Sequence, residues 1–429
     1  MTSEHYNQAT NKEQRTTNCD ERSLKFVIVG HVDHGKSTLI GRLLYDTNSL
    51  PPDKMEEIRK TSQELGRDTE FAYLLDHLEE ERRQGITIDT TQVFFKTDKK
   101  EYVIIDAPGH VEFVKNMITG ASQAEAAILI IDAKEGIQEQ TKRHATILSM
   151  LGIEQVIVLI NKVDLIDFNA EKYIELKTKI GKFLITLNIT PKLYIPISAL
   201  KGDNIANKST NMPWYKGPTM LEGLSQLKNK APLENQPLIF PVQDIYKIDD
   251  KRIIVGRVET GAIKEGQVVK VLPEGQITRV KSIEKFLSDA KSASAQESTG
   301  ITTEDAVFLD RGNVLCEKGK EPKVSDTFQT SVFWMSKQGY NKDEKVLLRC
   351  ATQEISCKIE AIHRRINSSS LELIETDAQN LENLEIGEVT IKTKKPIVID
   401  TFKNTREIGR FVLVKNENIS AGGIITNIE

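Results

Sequence analysis

The sequence has few cysteines and no long hydrophobic run, and both absences narrow what the protein can be. Its four cysteines are scattered without C-x-x-C spacing, at Cys19, Cys316, Cys350 and Cys357. This distribution indicates neither a disulfide framework nor a zinc site, and it suits a reducing compartment. No segment reaches the roughly 18 apolar residues that cross a bilayer. Residues 1–20 are polar and lack the apolar core of a signal peptide. We therefore expect a cytoplasmic protein without a membrane partner.

An excess of one charge is also missing. The 58 Lys and Arg residues nearly balance the 62 Asp and Glu residues, which gives a net charge of −4. There is thus no overall attraction to nucleic acid or to an anionic membrane, although a local basic face is compatible with this balance. The hydrophobic content of 39% is that of an ordinary globular protein. At about 150 residues per domain, the length of 429 residues predicts about three domains.

The most informative stretch is Gly30–Ser37, which fits the phosphate-binding pattern G-x-x-x-x-G-K-S/T. An apolar segment of strand length, Leu24–Val29, precedes it, and apolar residues at helical spacing follow it in Thr38–Tyr45. Such a turn forms an anion site, because consecutive backbone N–H groups point inward and the helix dipole adds positive potential. We predict that Lys36 reaches the β- and γ-phosphates and that the Ser37 hydroxyl binds Mg²⁺. The predicted phosphate loop consists of Gly30, His31, Val32, Asp33, His34, Gly35, Lys36 and Ser37.

The first half of the chain has the pattern of an α/β domain. From Leu24 to about Leu227, apolar strand-like runs alternate with helical patterns, which is typical of a parallel sheet covered by helices. In such sheets ligands bind beyond the carboxyl ends of the strands. A polar segment with two prolines, Asn229–Pro237, then marks a linker.

Beyond the linker the predicted strands are short and separated by turns, as in a small closed β-domain. Within this domain we expect a strand at Ala306–Leu309 and a loop over Ser288–Thr303, and a second set of short strands begins near Lys323. The predicted domains are a polar extension (1–23), an α/β domain (24–230) and two β-domains (231–322 and 323–429).

Two further segments supply groups for a metal and a terminal phosphate. Asp106 ends a predicted strand, where its carboxylate can hold Mg²⁺ through water, and the N–H of Gly109 can approach the γ-phosphate. Thr87 lies in a segment that can offer its hydroxyl to Mg²⁺ and become ordered with a triphosphate. His110 can orient the attacking water, with a structural turn histidine as the alternative. The predicted segment after this strand is Asp106, Ala107, Pro108, Gly109 and His110.

The base is expected to bind at two later strand ends. Asp164 can accept hydrogen bonds from N1 and the 2-amino group of guanine, and adenine cannot supply these donors. Ser198, Ala199 and Leu200 would offer a backbone N–H to guanine O6. The predicted base-binding segment is Asn161, Lys162, Val163 and Asp164.

His31 and His34 raise the alternative of metal ligation within the phosphate loop. We interpret them as variable positions of that loop, because its backbone geometry already explains the segment.

These motifs together resemble the translational GTPase superfamily, the group that contains elongation factor Tu and its archaeal and eukaryotic counterparts. The resemblance rests on G-H-V-D-H-G-K-S-T-L, G-I-T-I-D, D-A-P-G-H, K-N-M-I-T-G-A-S and N-K-V-D, and on Met212–Thr219 and Val258–Gly261. It extends from about Leu24 to the C-terminus. It implies a Rossmann-like P-loop GTPase domain followed by two β-barrels, an α/β plus all-β fold, with GTP and Mg²⁺ as the bound cofactors.

Two branches of this superfamily compete. One is the translation factor, which delivers aminoacyl-tRNA to the ribosome. The other is the large, GTP-binding subunit of bacterial sulfate adenylyltransferase, which couples GTP hydrolysis to the synthesis of adenylyl sulfate from ATP and sulfate. In the first domain His31, His34 and Ala107 look like the translation factors, whereas Leu39–Thr47 is similar to the sulfate branch.

The last domain favours the sulfate branch. Translation factors carry a histidine-threonine segment where this domain meets tRNA and an R-x-T-V-x-x-G segment near its end. The corresponding stretches here, Arg349–Glu354 and Lys415–Gly423, match neither. Val332–Met335, Ile366–Leu371 and Glu385–Gly387 are instead similar to segments of the sulfate branch. The resemblance implies a separate small catalytic subunit of the ATP pyrophosphatase type, in a heterodimer or larger assembly.

Overall fold

The computed structural model describes residues 23–50, 91–107, 114–248, 251–285, 290–305 and 307–428. The chain folds into an α/β domain with a mixed sheet, followed by two all-β barrels, so the predicted fold class is confirmed. The predicted domain boundaries, after residues 23, 230 and 322, stay predictions. No helix in these ranges is long and apolar enough to span a membrane.

The α/β domain contains a six-stranded sheet flanked by helices. Its strands are β1 (Leu24–Gly30), β2 (Thr91–Lys96), β3 (Glu101–Asp106), β4 (Ala126–Asp132), β5 (Gln155–Asn161) and β6 (Leu193–Pro196). Its helices are α1 (Lys36–Asp46), α2 (Val114–Ala121), α3 (Glu139–Met150), α4 (Ala170–Thr186) and α5 (Met220–Ser225). The strands lie in the order β2-β3-β1-β4-β5-β6.

The sheet is mixed rather than wholly parallel, because β2 runs antiparallel to β3 at one edge. The strand β2 was not predicted from the sequence. Its residues alternate between more and less exposed positions, and Phe94 is 67% exposed, so the strand lacks the continuous apolar run that marks the buried strands. The remaining neighbours pair in parallel, and their carboxyl ends meet at one edge of the sheet.

Alternate residues of β1 enter cores on opposite faces of the sheet. Phe26 and Ile28 pack in the core that contains α1, whereas Val27 and Val29 pack in the core that contains α3 and α4. This arrangement follows from the two-residue period of a strand, and burial on both faces explains the run of β-branched and aromatic residues.

The second domain is a closed barrel in the order β10-β11-β13-β8-β7-β14, where β14 also pairs with β10. Two short strands, β9 and β12, pair beside it. The strands are β7 (Ile239–Ile248), β8 (Lys251–Arg257), β9 (Ala262–Lys264), β10 (Val268–Leu272), β11 (Gln276–Glu284), β12 (Ser292–Ser294), β13 (Ser298–Thr303) and β14 (Val314–Glu317).

Two sequence-based expectations for this barrel are wrong. The segment Ser288–Thr303, expected as a loop, contains β12 and β13, and β13 is paired on both sides. Its small residues fit a crowded position, since a Cβ on Gly300 would lie 2.6 Å from Ile253 Cγ2. Residues 307–309, expected to form a strand with residue 306, are instead a loop held by Arg252, whose guanidinium donates to the carbonyls of Val307 and Leu309 at 2.7 and 3.0 Å.

The third domain is a second barrel. Its sheet has the order β17-β22-β23-β15-β21-β18-β19, and an additional pairing of β17 with β18 closes it. The elements are β15 (Lys323–Trp334), β16 (Tyr340–Asn341), β17 (Val346–Cys350), β18 (Gln353–Asn367), β19 (Leu373–Ala378), β20 (Asn380–Leu381), β21 (Glu385–Ile399), α6 (Arg406–Gly409), β22 (Arg410–Lys415) and β23 (Asn418–Ile428). Several strands are much longer than expected, since β18 and β21 each contain 15 residues.

The third domain shares apolar cores with both other domains. Phe333, Ile386 and Phe402 belong to the core that includes α3 and α4 of the first domain. Ile239, Leu272, Val314 and Cys316 of the second domain belong to the core of the third. The interface with the first domain also contains polar contacts, because buried Arg143 on α3 donates to Ser368 Oγ at 3.2 Å.

Candidate functional site

The phosphate loop lies between β1 and α1, as predicted, and two of its glycines are required by their surroundings. A Cβ on Gly30 would lie 2.5 Å from the Ile130 carbonyl oxygen. Gly35 precedes the first residue of α1 with a φ of 90°, and a Cβ there would lie 2.5 Å from Asn161 Nδ2. Asp33 also has a positive φ, of 61°. The turn therefore needs glycine both for its backbone conformation and for its close approach to β4 and β5.

Lys36 is buried against this loop. Its Nζ donates to the carbonyl oxygens of Gly30 and His31 at 3.0 and 2.8 Å. Burial lowers the pKa of Lys36 to about 8, and the nearby carboxylates of Asp106 and Asp33 partly oppose this shift. The ammonium is thus held inside the turn and largely shielded from solvent, where a bound anion would stabilise its charge strongly.

Asn161, at the end of β5, connects the phosphate loop to the segment after β6. Its Nδ2 donates to the His34 carbonyl at 2.9 Å, and its Oδ1 accepts from the Ala199 N–H at 2.9 Å. The Ser198 N–H donates to the Asp203 carbonyl at 3.3 Å. The N–H groups of Ser198 and Ala199 are thus already bonded within the protein. In the predicted segment Ser198–Leu200, the N–H that we expect to reach guanine O6 is therefore that of Leu200, a residue that is 37% exposed.

The segment with Asp164 turns sharply after β5. Lys162 has a left-handed backbone with a φ of 58°, and Val163–Ile166 form a 3₁₀ turn that carries the partly exposed Asp164 in its first turn. The Val163 N–H donates to the Ile197 carbonyl at 3.3 Å, so this turn is tied to the strand end before Ser198. Asp164 and the 198–200 segment are thereby brought to one side of the phosphate loop.

Asp132, which was not predicted from the sequence, lies beside the predicted site. It ends β4, is 2% exposed, and its Oδ1 accepts from the backbone N–H groups of Lys134 and Glu135 at 2.7 and 3.1 Å. Its Oδ2 lies 2.8 Å from Lys162 Nζ. Burial raises the pKa of the Asp132 carboxyl, but the hydrogen bonds from Lys162 and the two N–H groups outweigh burial and lower it. Its position at the carboxyl end of a central parallel strand was the available signal.

His34 is completely buried behind the phosphate loop. Its Nδ1 lies 3.3 Å from the Asp132 backbone nitrogen and 3.4 Å from the Ile130 carbonyl oxygen, and its Nε2 lies 3.3 Å from Glu135 Oε2. We place the ring proton on Nε2, so that Nδ1 accepts from the Asp132 N–H; the other tautomer would donate from Nδ1 to the Ile130 carbonyl. Burial lowers the pKa of His34 to about 4, and the ring is therefore neutral near pH 7. Its ring centroid is 5.2 Å from that of His31.

A third histidine, His144 on α3, was also missed. It is buried, and burial together with the nearby charge of Lys36 lowers its pKa to about 3. No group of three or more His, Cys, Asp or Glu side chains suited to a metal ion occurs among the described residues. Burial also lowers the pKa of His31, so both loop histidines are neutral near pH 7.

The remaining predicted residues divide into two sets. Ser37 lies in the first turn of α1, and Asp106 and Ala107 lie at and just after the buried end of β3. Thr87, Pro108, Gly109 and His110 lie outside the described residues. Ser37 and Asp106, the described residues predicted to hold Mg²⁺, therefore lie at the same edge of the sheet as Lys36.

The sequence matches two family models. A model described as the elongation factor Tu GTP binding domain matches residues 21–248, and one described as GTP-eEF1A C-terminal domain-like matches residues 327–426. Sulfate adenylyltransferase subunit 1 of Alteromonas mediterranea is 37% identical over 412 residues, which are 94% of this chain and 87% of the relative.

Relatives with other names are equally similar. Elongation factor 1-alpha of Methanopyrus kandleri is 37% identical over 430 residues, covering 96% of this chain and 99% of that protein. The bifunctional enzyme NodQ of a Rhizobium species is 36% identical over 94% of this chain and 64% of its own length. Overall identity therefore does not separate the two branches. The first model spans more than half of the chain, and we conclude that the chain belongs to the translational GTPase family defined by the elongation factor Tu GTP-binding domain.

Proposed function

We propose that the chain is the GTP-hydrolysing subunit of a sulfate adenylyltransferase, and that it couples GTP hydrolysis to the formation of adenylyl sulfate from ATP and sulfate on a separate catalytic subunit. The alternative within the same family is a carrier of aminoacyl-tRNA. The observation that carries our choice is the charge of the third domain where a carrier would meet tRNA.

In the two segments compared above, Arg349–Glu354 and Lys415–Gly423, each segment's one cation is paired with a carboxylate. Arg349 is the only cation of Arg349–Glu354, and its Nε lies 2.7 Å from Glu354 Oε2. Lys415 Nζ lies 2.9 Å from the carboxylate of Glu344 and also donates to the Gly339 carbonyl at 2.9 Å. Binding of a tRNA backbone draws on lysines and arginines that are able to neutralise phosphates. Each cation would have to exchange a carboxylate partner for a phosphate, which costs little for the half-exposed Arg349–Glu354 pair and more for the largely buried Lys415.

The segments that look like the sulfate branch also meet in one place. Val332, Phe333 and Trp334 on β15 lie opposite Gly387, Ile386 and Glu385 on β21, and Ile386 also lies opposite Ile366 on β18. Phe333 and Ile386 pack in the core shared with α3 of the GTPase domain. Each of the three matched segments thus contributes a residue to the contact with the first domain, namely Phe333, Ile386 and Ile366, whereas Val332 and Trp334 pack in the third domain's own core.

In the proposed GTPase cycle the chain's own residues bind and orient the nucleotide. Lys36 and the N–H groups of the phosphate loop neutralise the phosphates, and Asp164 selects guanine. Ser37, Thr87 and Asp106 would hold Mg²⁺; the two described members offer hydroxyl and carboxylate oxygens, which are donors that Mg²⁺ prefers. When bound, Mg²⁺ neutralises charge on the β- and γ-phosphate oxygens. His110 positions the attacking water.

Reconstitution with a small subunit tests the proposal directly. The full chain, purified together with its small subunit, is expected to release pyrophosphate from ATP plus sulfate, and GTP should stimulate that release. Adenylyl transfer requires a site for ATP, and the sequence contains one G-x-x-x-x-G-K-S loop, so the chain alone should hydrolyse GTP slowly and make no adenylyl sulfate. Failure of GTP to stimulate pyrophosphate release, together with GTP-dependent protection of aminoacyl-tRNA from hydrolysis, would overturn the proposal in favour of the carrier.

Nucleotide binding is expected to weaken as the pH rises above 8. The pKa of Lys36 is lowered to about 8, so without nucleotide its ammonium loses a proton in this range. Bound phosphate raises that pKa again, so binding takes up a proton and GDP affinity should fall about tenfold between about pH 7.5 and about pH 9. Equilibrium titrations with a fluorescent GDP analogue across this range measure the slope. Lys36→Arg keeps its charge throughout and should give a flatter profile; an identical slope in both proteins would contradict the assignment to Lys36.

A further inference from the structure

The carboxylate of Asp132 is held in one orientation before any ligand is considered. Both backbone N–H groups that bind its Oδ1 follow it in the chain, at Lys134 and Glu135, so the side chain is locked into the turn after β4. The residue is 2% exposed. Its second oxygen, Oδ2, is therefore presented at a fixed position at the carboxyl edge of the sheet.

Lys162 meets that fixed oxygen. Its Nζ lies 2.8 Å from Asp132 Oδ2, and its side chain is about one-third exposed. A lysine side chain has several rotatable bonds and an exposed one is normally mobile, so a buried, fixed carboxylate restricts it strongly. The left-handed backbone of Lys162 places this anchored residue directly between Asn161 and the turn that carries Asp164.

The backbone of Asp132 makes the second connection. Its N–H donates to His34 Nδ1 at 3.3 Å, and the His34 carbonyl accepts from Asn161 Nδ2 at 2.9 Å. Since Asn161 and Lys162 are consecutive, these contacts close a ring through Asp132, Lys162, Asn161 and His34. The ring joins the phosphate loop to the segment with Asp164, and neither loop can move without breaking one of its contacts.

We propose that Asp132 is a positioning residue that sets the distance between the phosphate loop and Asp164, so that both ends of one guanine nucleotide are bound at once. The inference rests on the proposed nucleotide site, and it assigns to Asp132 no contact with the nucleotide. A ligand held at two ends loses affinity when the two halves of its site shift relative to each other, even if each half is intact.

Asp132→Asn isolates this role. The amide oxygen of asparagine can still accept the N–H groups of Lys134 and Glu135, but its NH₂ group cannot accept from Lys162. The turn is thus preserved while the ion pair is lost. We expect the variant to release a fluorescent GDP analogue about tenfold faster than the wild type, which corresponds to about 1.4 kcal/mol. The preference for GTP over XTP should stay unchanged because Asp164 is intact.

A double-substitution cycle separates positioning from general stability. If Asp132 acts through Lys162, then Asp132→Asn should have little further effect on GDP release in a Lys162→Met background. Glu385→Gln is the matched control, because Glu385 is also a buried carboxylate, with its oxygen 2.6 Å from Arg365 Nε in the third domain. It should lower the melting temperature and leave GDP release unchanged.

The possible results distinguish the positioning role of Asp132 from the proposed nucleotide site and from the sulfate assignment. Unchanged GDP release in Asp132→Asn, or an equal additional acceleration in the Lys162→Met background, would overturn the positioning role. If instead the wild-type chain bound no GDP analogue, the proposed nucleotide site would be wrong. A wild type that binds GDP but does not support GTP-stimulated pyrophosphate release would contradict only the sulfate assignment.

Discussion

Replacing Asp164 with asparagine is expected to change the preferred nucleotide from GTP to XTP. The carboxylate accepts the N1–H and 2-amino donors of guanine, whereas an amide presents one acceptor and one donor. Asparagine therefore suits xanthine, which has a carbonyl oxygen in place of the 2-amino group. A site built to pair with specific polar groups rejects a partner that leaves them unpaired, and GTP affinity should fall about 10³-fold. Competition of GTP and XTP against a fluorescent nucleotide measures both affinities.

Asp167→Asn is the matched control for this experiment. Asp167 directly follows the 3₁₀ turn that carries Asp164, is exposed, and has a left-handed backbone that asparagine tolerates well. The control should bind GTP as the wild type does. An Asp164→Asn protein with unchanged GTP affinity would show that Asp164 does not recognise the base.

Gly35→Ala should also abolish most nucleotide binding, for a reason visible only in three dimensions. The backbone of Gly35 has a φ of 90°, and a Cβ would lie 2.5 Å from Asn161 Nδ2. Relief requires Asn161 to move, which breaks its bonds to the His34 carbonyl and the Ala199 N–H. Left-handed strain and two lost hydrogen bonds total about 3 kcal/mol, so we expect about a 100-fold loss of GDP affinity.

Gly266→Ala provides a control with the same backbone strain. Gly266 in the second domain has a φ of 79°, and a Cβ there would meet no atom within 4 Å. Both variants should lose some thermal stability, but only Gly35→Ala should lose nucleotide affinity. Equal affinity losses in the two proteins would mean that strain alone, rather than the contact with Asn161, is responsible.

The sequence predicted those parts of the site that depend on local spacing. The glycines of the phosphate loop, Lys36 and Asp106 lie within short motifs whose chemistry follows from residue type and separation, and the structure brings them to one edge of the sheet. The contacts of Asp132 and the position of His144 near Lys36 could not be predicted in this way. Asp132 approaches Lys162 from another strand, and His144 approaches the phosphate loop from α3, so neither relationship has a characteristic spacing along the chain.

In the barrels, too, features that depend on contacts between distant strands could not be predicted from the sequence. β13 is rich in small and hydroxyl residues and was expected to lie in a loop, because its need for small side chains comes from neighbouring strands rather than from its own sequence. In β18, register shifts near Ile359 and Ile362 interrupt the alternation of inward and outward residues. The sequence pattern therefore predicts only a short strand, Ile355–Ile362, within the longer β18. The small residues of β13 and the register shifts of β18 both depend on the strands with which they pair.

The shared apolar cores have a consequence for how this protein can be divided. Phe333, Ile386 and Phe402 of the third domain cover apolar side chains of α3 and α4, and Ile239 and Val314 of the second domain complete the core of the third. Cutting the chain between the first and second domains, or between the second and third, would leave part of a core exposed to water on both fragments. We therefore expect the three domains to unfold together rather than one by one, because each of these boundaries separates residues of one shared core.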